Sequence, residues 1–160
     1  MPHTATTTSA ARNVLYLAIA IVACQLAGAL GALVTEPSFY GELHRPSWAP
    51  PAWVFGPVWI TLYSMMAVAA WLVWRTGDGR RSAMVWFAIQ LALNAAWSPV
   101  FFGLRSISGG AVVIVMLDIA IIGTLIAFVR RSRAAAILLV PYAAWVWFAT
   151  ALNVSIWRAN

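Results

Sequence analysis

Five apolar runs of about twenty residues constrain this chain more than any other feature of its sequence. The first, Val14–Val34, contains no charged residue. A helix of ~20 residues covers ~30 Å, the thickness of the hydrocarbon core of a bilayer. Backbone polar groups in hydrocarbon need internal partners, which only helices and closed barrels provide. Because the runs are continuous and do not alternate apolar with polar residues as barrel strands do, the sequence predicts membrane-spanning α-helices.

The composition agrees with a protein that is solvated by lipid. Apolar residues make up 63% of the 160-residue chain and charged residues only 9%, whereas a soluble domain carries about 25% charged residues. So few polar groups cannot cover a water-facing surface. We therefore predict an all-α fold, an integral membrane bundle of five transmembrane helices, and exclude a soluble domain.

The apolar runs divide the chain into a short tail and one membrane domain. Residues 1–12 are rich in Thr and Ala, and we expect them to be disordered. Arg12 and the run after it also fit a cleaved secretory signal, but the run continues through Val34 and favours a retained helix. A long loop, residues 35–51, follows the first helix. The domain covers residues 13–160, with helices expected at about 13–34, 52–74, 82–102, 110–129 and 134–157.

The arginines predict how the bundle is oriented. The net charge is +6, and all ten cations are arginines that lie between or beside apolar runs. The expected partners are therefore anionic lipid headgroups, and not nucleic acid. Three arginines lie on one side of the membrane and seven on the other, which places the N-terminus and two Arg-rich loops in the cytoplasm if the membrane is a bacterial inner membrane. The seven are Arg12, Arg75, Arg80, Arg81, Arg130, Arg131 and Arg133.

The third helix carries two different faces. Gln90, Asn94, Trp97 and Phe101 recur at spacings of four, three and four, which places them on one helical face. Amides are costly in lipid, so this face should point into the bundle. Another face has small residues at four-residue spacing, which permits a close helix contact within the bundle or across a dimer. Its members are Ala88, Ala92 and Ala96.

The segment that leads into the second helix is stiff and aromatic. Pro50 and Pro51 fix the backbone where the chain enters the helix, and Pro57 further along is expected to kink it. Trp48 and Trp53 lie near the expected membrane interface, where indole rings are favoured. From the residues alone, this pattern is typical of an aromatic belt on a rigid connector.

Isolated polar and small residues mark the other helices. Asp118 lies near the middle of the fourth helix, where a carboxylate is costly, and it either pairs structurally or serves a ligand or a proton. Cys24 has no partner for a disulfide and is expected to be a small packing residue, in a four-residue-spaced seam with Gly28. In the fifth helix Asn153 lies beside a stripe formed by Trp145, Ala149, Leu152 and Ile156.

Three separated motifs resemble those of the TspO/MBR family, the tryptophan-rich sensory and translocator proteins also known as peripheral-type benzodiazepine receptors. The first motif runs from Phe39 to Tyr63, the second from Gln90 to Gly103 and the third from Pro141 to Asn160. They occur in the order and at the spacing of the family and cover nearly the whole chain. The sequence is similar to bacterial members.

The resemblance implies a five-helix bundle, commonly a homodimer, that binds porphyrins such as protoporphyrin IX and haem, and flat synthetic ligands. No cofactor is obligatory and no metal site is implied. The pocket is expected between the helices, under a lid formed by residues 35–51. Trp59 and Trp145 match the paired pocket tryptophans, which take part in light-dependent porphyrin breakdown in some bacterial members. The ligand-binding positions implied are Tyr40, Trp48, Trp53, Trp59, Asn94, Trp97, Trp145, Ala149 and Leu152.

Two departures from the family pattern matter. Val154 stands where the family's cholesterol motif has a tyrosine, so we expect sterol to bind weakly at most. Phe39 stands where the family often has tryptophan. Arg45 in the loop is available for a porphyrin propionate, while His3 and His44 lie outside the expected pocket and supply no axial ligand for iron.

Three functions remain open from the sequence. The favoured hypothesis is a membrane receptor or sensor that binds porphyrins in an indole-lined pocket and has a regulatory or stress-response role. A light-dependent porphyrin-degrading enzyme would have to use Trp59 or Trp145, since the sequence shows no acid–base pair or activated nucleophile. A tetrapyrrole or sterol transporter is less favoured because no internal repeat is visible.

Overall fold

The computed structural model describes residues 4–77 and 79–160, and within them all regular structure is helical. Five helices are long and apolar enough to cross a membrane, which confirms the predicted all-α membrane fold. The chain is therefore an integral, multi-pass membrane protein. The helices are α1 (Thr4–Leu33), α2 (Pro37–Glu42), α3 (Phe55–Trp74), α4 (Arg81–Ser98), α5 (Ile107–Val129) and α6 (Arg133–Ala159).

Helix α1 begins earlier than expected. Disorder was predicted over residues 1–12, but the structure is helical from Thr4 onward; residues 1–3 lie outside the described residues. The stretch from Thr4 to Arg12 contains neither Gly nor Pro. Extending an existing helix costs far less free energy than nucleating a new one. The membrane-spanning helix therefore extends readily toward the N-terminus through these residues.

Two prolines set helix ends that differ from the prediction. A 3₁₀ turn, Ala52–Val54, precedes α3, so Pro57 lies in the first turn of α3. A proline there costs no intrahelical hydrogen bond, so it marks the helix start and not the kink that we expected. Pro99 ends α4, and the chain continues as a π-helical turn, Pro99–Gly103. This wide turn buries both Phe101 and Phe102.

The five long helices form a closed ring. Helix α1 packs beside α3 and α4, α6 packs beside α3 and α5, and α5 packs beside α4. The order around the ring is therefore α1–α3–α6–α5–α4. Leu26 and Leu30 of α1 are among the apolar side chains on the outer surface, 57% and 60% exposed, where lipid would solvate them. The ring encloses the space in which the candidate site lies.

Serine caps begin the last two helices. The hydroxyl of Ser106 accepts a hydrogen bond from the backbone amide of Gly109 at 3.1 Å, and that of Ser132 accepts one from Ala135 at 3.2 Å. Each cap satisfies an amide that the helix itself leaves without a partner. Both helix starts are thereby defined by local sequence.

Candidate functional site

A cavity of about 570 Å³ lies inside the ring of helices. All five long helices contribute to its wall, and α2 of the first loop adds Tyr40. Its volume falls within the range of about 300–1,000 Å³ that is usual for sites that bury a drug-sized ligand. The lining is mostly aromatic and aliphatic, with a few polar side chains.

Most of the ligand-binding residues expected from the sequence line this cavity. They come from four different elements, and the fold brings them together from positions more than a hundred residues apart. The stripe predicted on the last helix supplies three of them. The seven expected residues in the wall are Tyr40, Trp59, Asn94, Trp97, Trp145, Ala149 and Leu152.

Two of the expected ligand-binding residues do not line the cavity. Trp53 is 75% exposed, and Trp48 is 48% exposed and packs edge-on against Phe148 at a ring-centroid distance of 5.6 Å. The 3₁₀ turn that contains Trp53 accounts for its placement, because Phe55, two residues later at the start of α3, takes the inward position. Phe55 lines the cavity but was not predicted from the sequence, although it lies four residues before Trp59 and so shares its helical face.

Paired aromatic rings form the walls. Trp59 stacks on Tyr63 with centroids 5.3 Å apart, and Trp97 stacks on Phe101 at 4.8 Å. Phe55 meets Trp145 edge-on at 5.9 Å. Such contacts hold each ring in one orientation. The cavity is thus a preformed aromatic slot.

A chain of hydrogen bonds fixes the polar residues behind the aromatic wall. The Tyr63 hydroxyl donates to Oδ1 of Asn94, and Nδ2 of Asn94 donates to the Tyr142 oxygen at 3.2 Å. The Tyr142 hydroxyl in turn donates to Oε1 of Gln90 at 2.6 Å. The chain links α3, α4 and α6, and it confirms that the amide face of the third span points into the bundle. Buried in hydrocarbon, these groups need one another as partners.

Several cavity-lining residues keep buried polar atoms without a partner. Among the residues that the structure describes, no hydrogen bond is made by the hydroxyl of Tyr40, by the indole nitrogen of Trp97 or Trp145, or by either amide atom of Asn153. Buried polar atoms are almost always satisfied in native proteins, and unsatisfied ones point to a ligand or to water. The wall therefore offers donors and an acceptor that no protein group uses.

An amide on α1 was not anticipated as a lining residue. Nε2 of Gln25 donates to the carbonyl of Ile60 at 3.1 Å and to the Ser64 hydroxyl at 3.0 Å, and the side chain lines the cavity. The signal was present in the sequence, since Gln25 is the polar residue in an otherwise apolar run. It ties α1 to α3 beside the cavity.

The loop over the cavity, residues 35–51 and here called the lid loop, is anchored at several points. Nη2 of Arg105 donates to both carboxylate oxygens of Glu36 at 3.0 Å. These hydrogen bonds and that from Ser38 hold the pKa of Glu36 below its ordinary range. Phe39 is buried against Phe101, with ring centroids 6.0 Å apart. The lid loop thus contains a short helix, α2, held by charge at its start and by burial in its middle.

The middle of the lid loop, just after α2, is tied to Asn160 at the end of α6. The backbone amide of His44 donates to Oδ1 of Asn160 at 3.0 Å, and Nδ2 of Asn160 donates back to the His44 carbonyl at 3.1 Å. Next to it, the guanidinium of Arg45 lies over the ring of Tyr40 at 4.6 Å. Because Tyr40 lines the cavity, the Tyr40 ring lies between the Arg45 guanidinium and the cavity interior.

Asp118 has a different setting from the other polar residues. The hydroxyl of Thr150 donates to its Oδ2 at 2.9 Å, which joins α5 to α6. Its other oxygen, Oδ1, is buried and makes no hydrogen bond within the described part of the chain. Asp118 does not line the cavity, so Thr150 is the structural partner that the sequence could not name.

The comparisons with known proteins agree with this architecture. The model of the TspO/MBR family matches residues 20–158. A tryptophan-rich protein TspO from Chlorobaculum tepidum is 44% identical, over 93% of this chain and 98% of that protein. The human translocator protein is 42% identical, over 84% and 86%, and a tryptophan-rich sensory protein from Cereibacter sphaeroides is 36% identical, over 88% of each chain. The five-helix membrane protein described above therefore belongs to the TspO/MBR family.

Proposed function

We propose that this chain is a membrane receptor that binds porphyrins, such as protoporphyrin IX and haem, and related flat apolar ligands in the cavity inside the helix ring. The observation that carries the proposal is the aromatic slot. Trp59 and Trp145 line it together with Tyr40 and Trp97. A porphyrin is flat and rich in π electrons. Each well-placed aromatic contact contributes about 0.5–1.5 kcal/mol beyond simple burial.

Polar groups around the slot support an oriented ligand. The unused indole donors of Trp97 and Trp145, and the amide of Asn153, could each meet a polar atom of the ligand. Porphyrin propionates are anionic, and the guanidinium of Arg45 beside Tyr40 is placed to bind one near the cavity. The ligand would then lie flat in the slot with its charged edge toward the lid loop.

A regulatory role is part of the same proposal. The name of the Cereibacter sphaeroides relative, a sensory protein, supports it. A lid loop held by a few polar contacts gives the protein an element whose order can respond to the ligand. We also propose a homodimer, because Ala92, which is exposed, and Ala96, which is half-buried, give α4 a small face that a second copy could approach closely.

Titration with protoporphyrin IX in the dark tests the proposal. We expect wild type to bind, and Trp59→Phe and Trp145→Phe to bind roughly fivefold more weakly, because a ring is kept but part of the stacking is lost. Trp147→Phe is the matched control, since Trp147 lies on the same helix, is half-exposed and does not line the cavity. Unchanged affinity in both Trp59→Ala and Trp145→Ala would reject the site.

Two further measurements separate the receptor from its rivals. If the chain degrades porphyrin, illumination of the wild-type complex should yield a distinct product that disappears in Trp59→Phe or Trp145→Phe while binding survives. If it is a transporter, proteoliposomes should show porphyrin flux across the bilayer. Binding with neither product nor flux would support the receptor.

A further inference from the structure

A second cleft lies at the opposite end of the molecule from the lid loop, where α3 turns into α4. Its volume is about 470 Å³, and its wall comes from the end of α3, the connecting turn and the first two turns of α4. It shares no residue with the cavity inside the ring. Nothing in the proposed porphyrin site uses it.

The end of the cleft that faces the turn is cationic. Arg80 and Arg81 both line it. The guanidinium of Arg80 lies over the ring of Trp74 at 4.3 Å, and its Nη1 donates to the carbonyl of Gly77 at 3.0 Å. Those two contacts hold the group in place and leave most of its five N–H donors without an acceptor in the described part of the chain. Arg81 makes no hydrogen bond or ion pair with any residue that the structure describes.

A third guanidinium stands at the rim. Gly79 lines the cleft with a φ of +77°, a conformation that suits glycine, and a β-carbon there would lie 2.4 Å from Nη2 of Arg131. Arg131 therefore packs directly on the backbone of the turn. The turn also contains Asp78, whose placement lies outside the described residues.

The other end of the cleft is apolar and opens to the outside of the bundle. Met84 is half-buried, and Val85 is 51% exposed along the outer side of α4. Both residues belong to the membrane-spanning segment Arg81–Gly103, whereas Arg80 lies just outside it. In a bilayer the cleft would therefore cross the boundary between headgroups and hydrocarbon, with its charged part on the water side and its apolar part on the lipid side.

We propose that this cleft binds one anionic glycerophospholipid, with its phosphate between Arg80 and Arg81 and an acyl chain along Met84 and Val85. The positive charge of the site favours an anionic headgroup, because a guanidinium group can donate two parallel hydrogen bonds to the oxygens of one phosphate. The depth of the site selects a lipid over a free phosphate ester, because only a molecule anchored in hydrocarbon can fill the apolar half. The proposal is independent of the porphyrin site.

Native mass spectrometry of the full chain in detergent, titrated with phosphatidylglycerol and with phosphatidylcholine of the same acyl chains, tests this directly. We expect phosphatidylglycerol to bind more tightly, and Arg80→Gln/Arg81→Gln to lose about fivefold in affinity for each arginine removed. Arg130→Gln/Arg133→Gln is the matched control, because it removes the same charge at the same end of the bundle outside the cleft. An equal loss in the two double variants would overturn the site in favour of a diffuse surface attraction.

A second pair of variants tests the apolar half. Val85→Phe should partly fill the cleft and weaken phosphatidylglycerol binding severalfold, while Val112→Phe, on an exposed face of α5, should not. Glycerol 3-phosphate carries the same phosphate without acyl chains and should compete poorly. Competition as strong as that of the whole lipid would overturn the proposed acyl groove. Unchanged protoporphyrin IX binding in Arg80→Gln/Arg81→Gln would show that the variant is folded.

Discussion

Gly28 on α1 lies against the ring of Tyr63 on α3 so closely that a β-carbon at position 28 would stand 2.3 Å from Cε2 of the tyrosine. Both residues line the cavity, and the hydroxyl of Tyr63 begins the hydrogen-bond chain through Asn94. The close-packing seam predicted on the first helix is thus a contact that positions a wall of the site.

Replacing Gly28 by Ala should displace Tyr63 and disturb the site. The added methyl group overpacks the α1–α3 contact, and overpacking typically costs about 1–3 kcal/mol. We expect a lower free energy of unfolding, measured by titration with denaturing detergent, together with weaker protoporphyrin IX binding. Gly103→Ala serves as the control, because nothing lies within 4 Å of a β-carbon built there. Wild-type behaviour of the Gly28→Ala variant would show that Tyr63 moves freely.

Removal of the Tyr142 hydroxyl should destabilise the bundle more than it affects ligand binding. Tyr142 is fully buried, does not line the cavity, and joins Asn94 to Gln90. In Tyr142→Phe, both amides lose a partner in a setting without water, which costs about 1–3 kcal/mol. The measurement is again unfolding in denaturing detergent. Tyr16→Phe is the comparison, since the Tyr16 hydroxyl has no hydrogen-bond partner among the described residues, and equal stability of the two variants would contradict the role of the chain.

The Glu36–Arg105 ion pair should make the order of the lid loop depend on pH. The hydrogen bonds from Arg105 lower the pKa of Glu36 in the folded protein. The pair is therefore intact above the ordinary glutamate value of about 4.3, and it is lost as the pH falls below that value through the lowered pKa. We expect the backbone amides of residues 38–42 to exchange hydrogen faster below this range, after correction for intrinsic rates.

Glu36→Gln isolates the contribution of that pair. The variant should show fast amide exchange at residues 38–42 already at neutral pH and little further change on acidification. Glu42→Gln is the control, because Glu42 is exposed and makes no ion pair among the residues described. If the two variants exchange alike, the lid loop is held by Phe39 and Asn160 and not by charge.

The arginine distribution predicts the orientation of the chain. The N-terminus and the Arg-rich turns after α3 and α5 should be cytoplasmic, and the lid loop and the C-terminus should lie outside, if the chain is placed in a bacterial inner membrane. Reporter fusions at both ends measure this. Both reporters active on the same side would contradict five membrane crossings.

Much of the fold could be predicted because it depends on local sequence. The length of each apolar run determines that a helix spans the bilayer, and the arginines that flank the runs mark where each one ends. The spacing of Gln90, Asn94 and Trp97 assigned an inward face, since three-and-four periodicity defines a side of a helix without knowledge of its neighbours. The departures came where a helix end is decided by context: at Thr4, where α1 extends the chain's first span, and at Pro99, where α4 widens into a π-helical turn.

The sequence by itself determined the five spanning helices, their polar face and, through the family resemblance, most residues of the candidate site. Only the tertiary structure decided which rings and amides meet. It turned Trp53 outward and Phe55 inward, gave Asp118 its partner Thr150, and joined Tyr63 to Gln90 through two other side chains. The reason is physical: periodicity determines the direction of a side chain relative to its own helix, whereas a contact depends on the rotation and depth of the facing helix, which the packing of the whole ring sets.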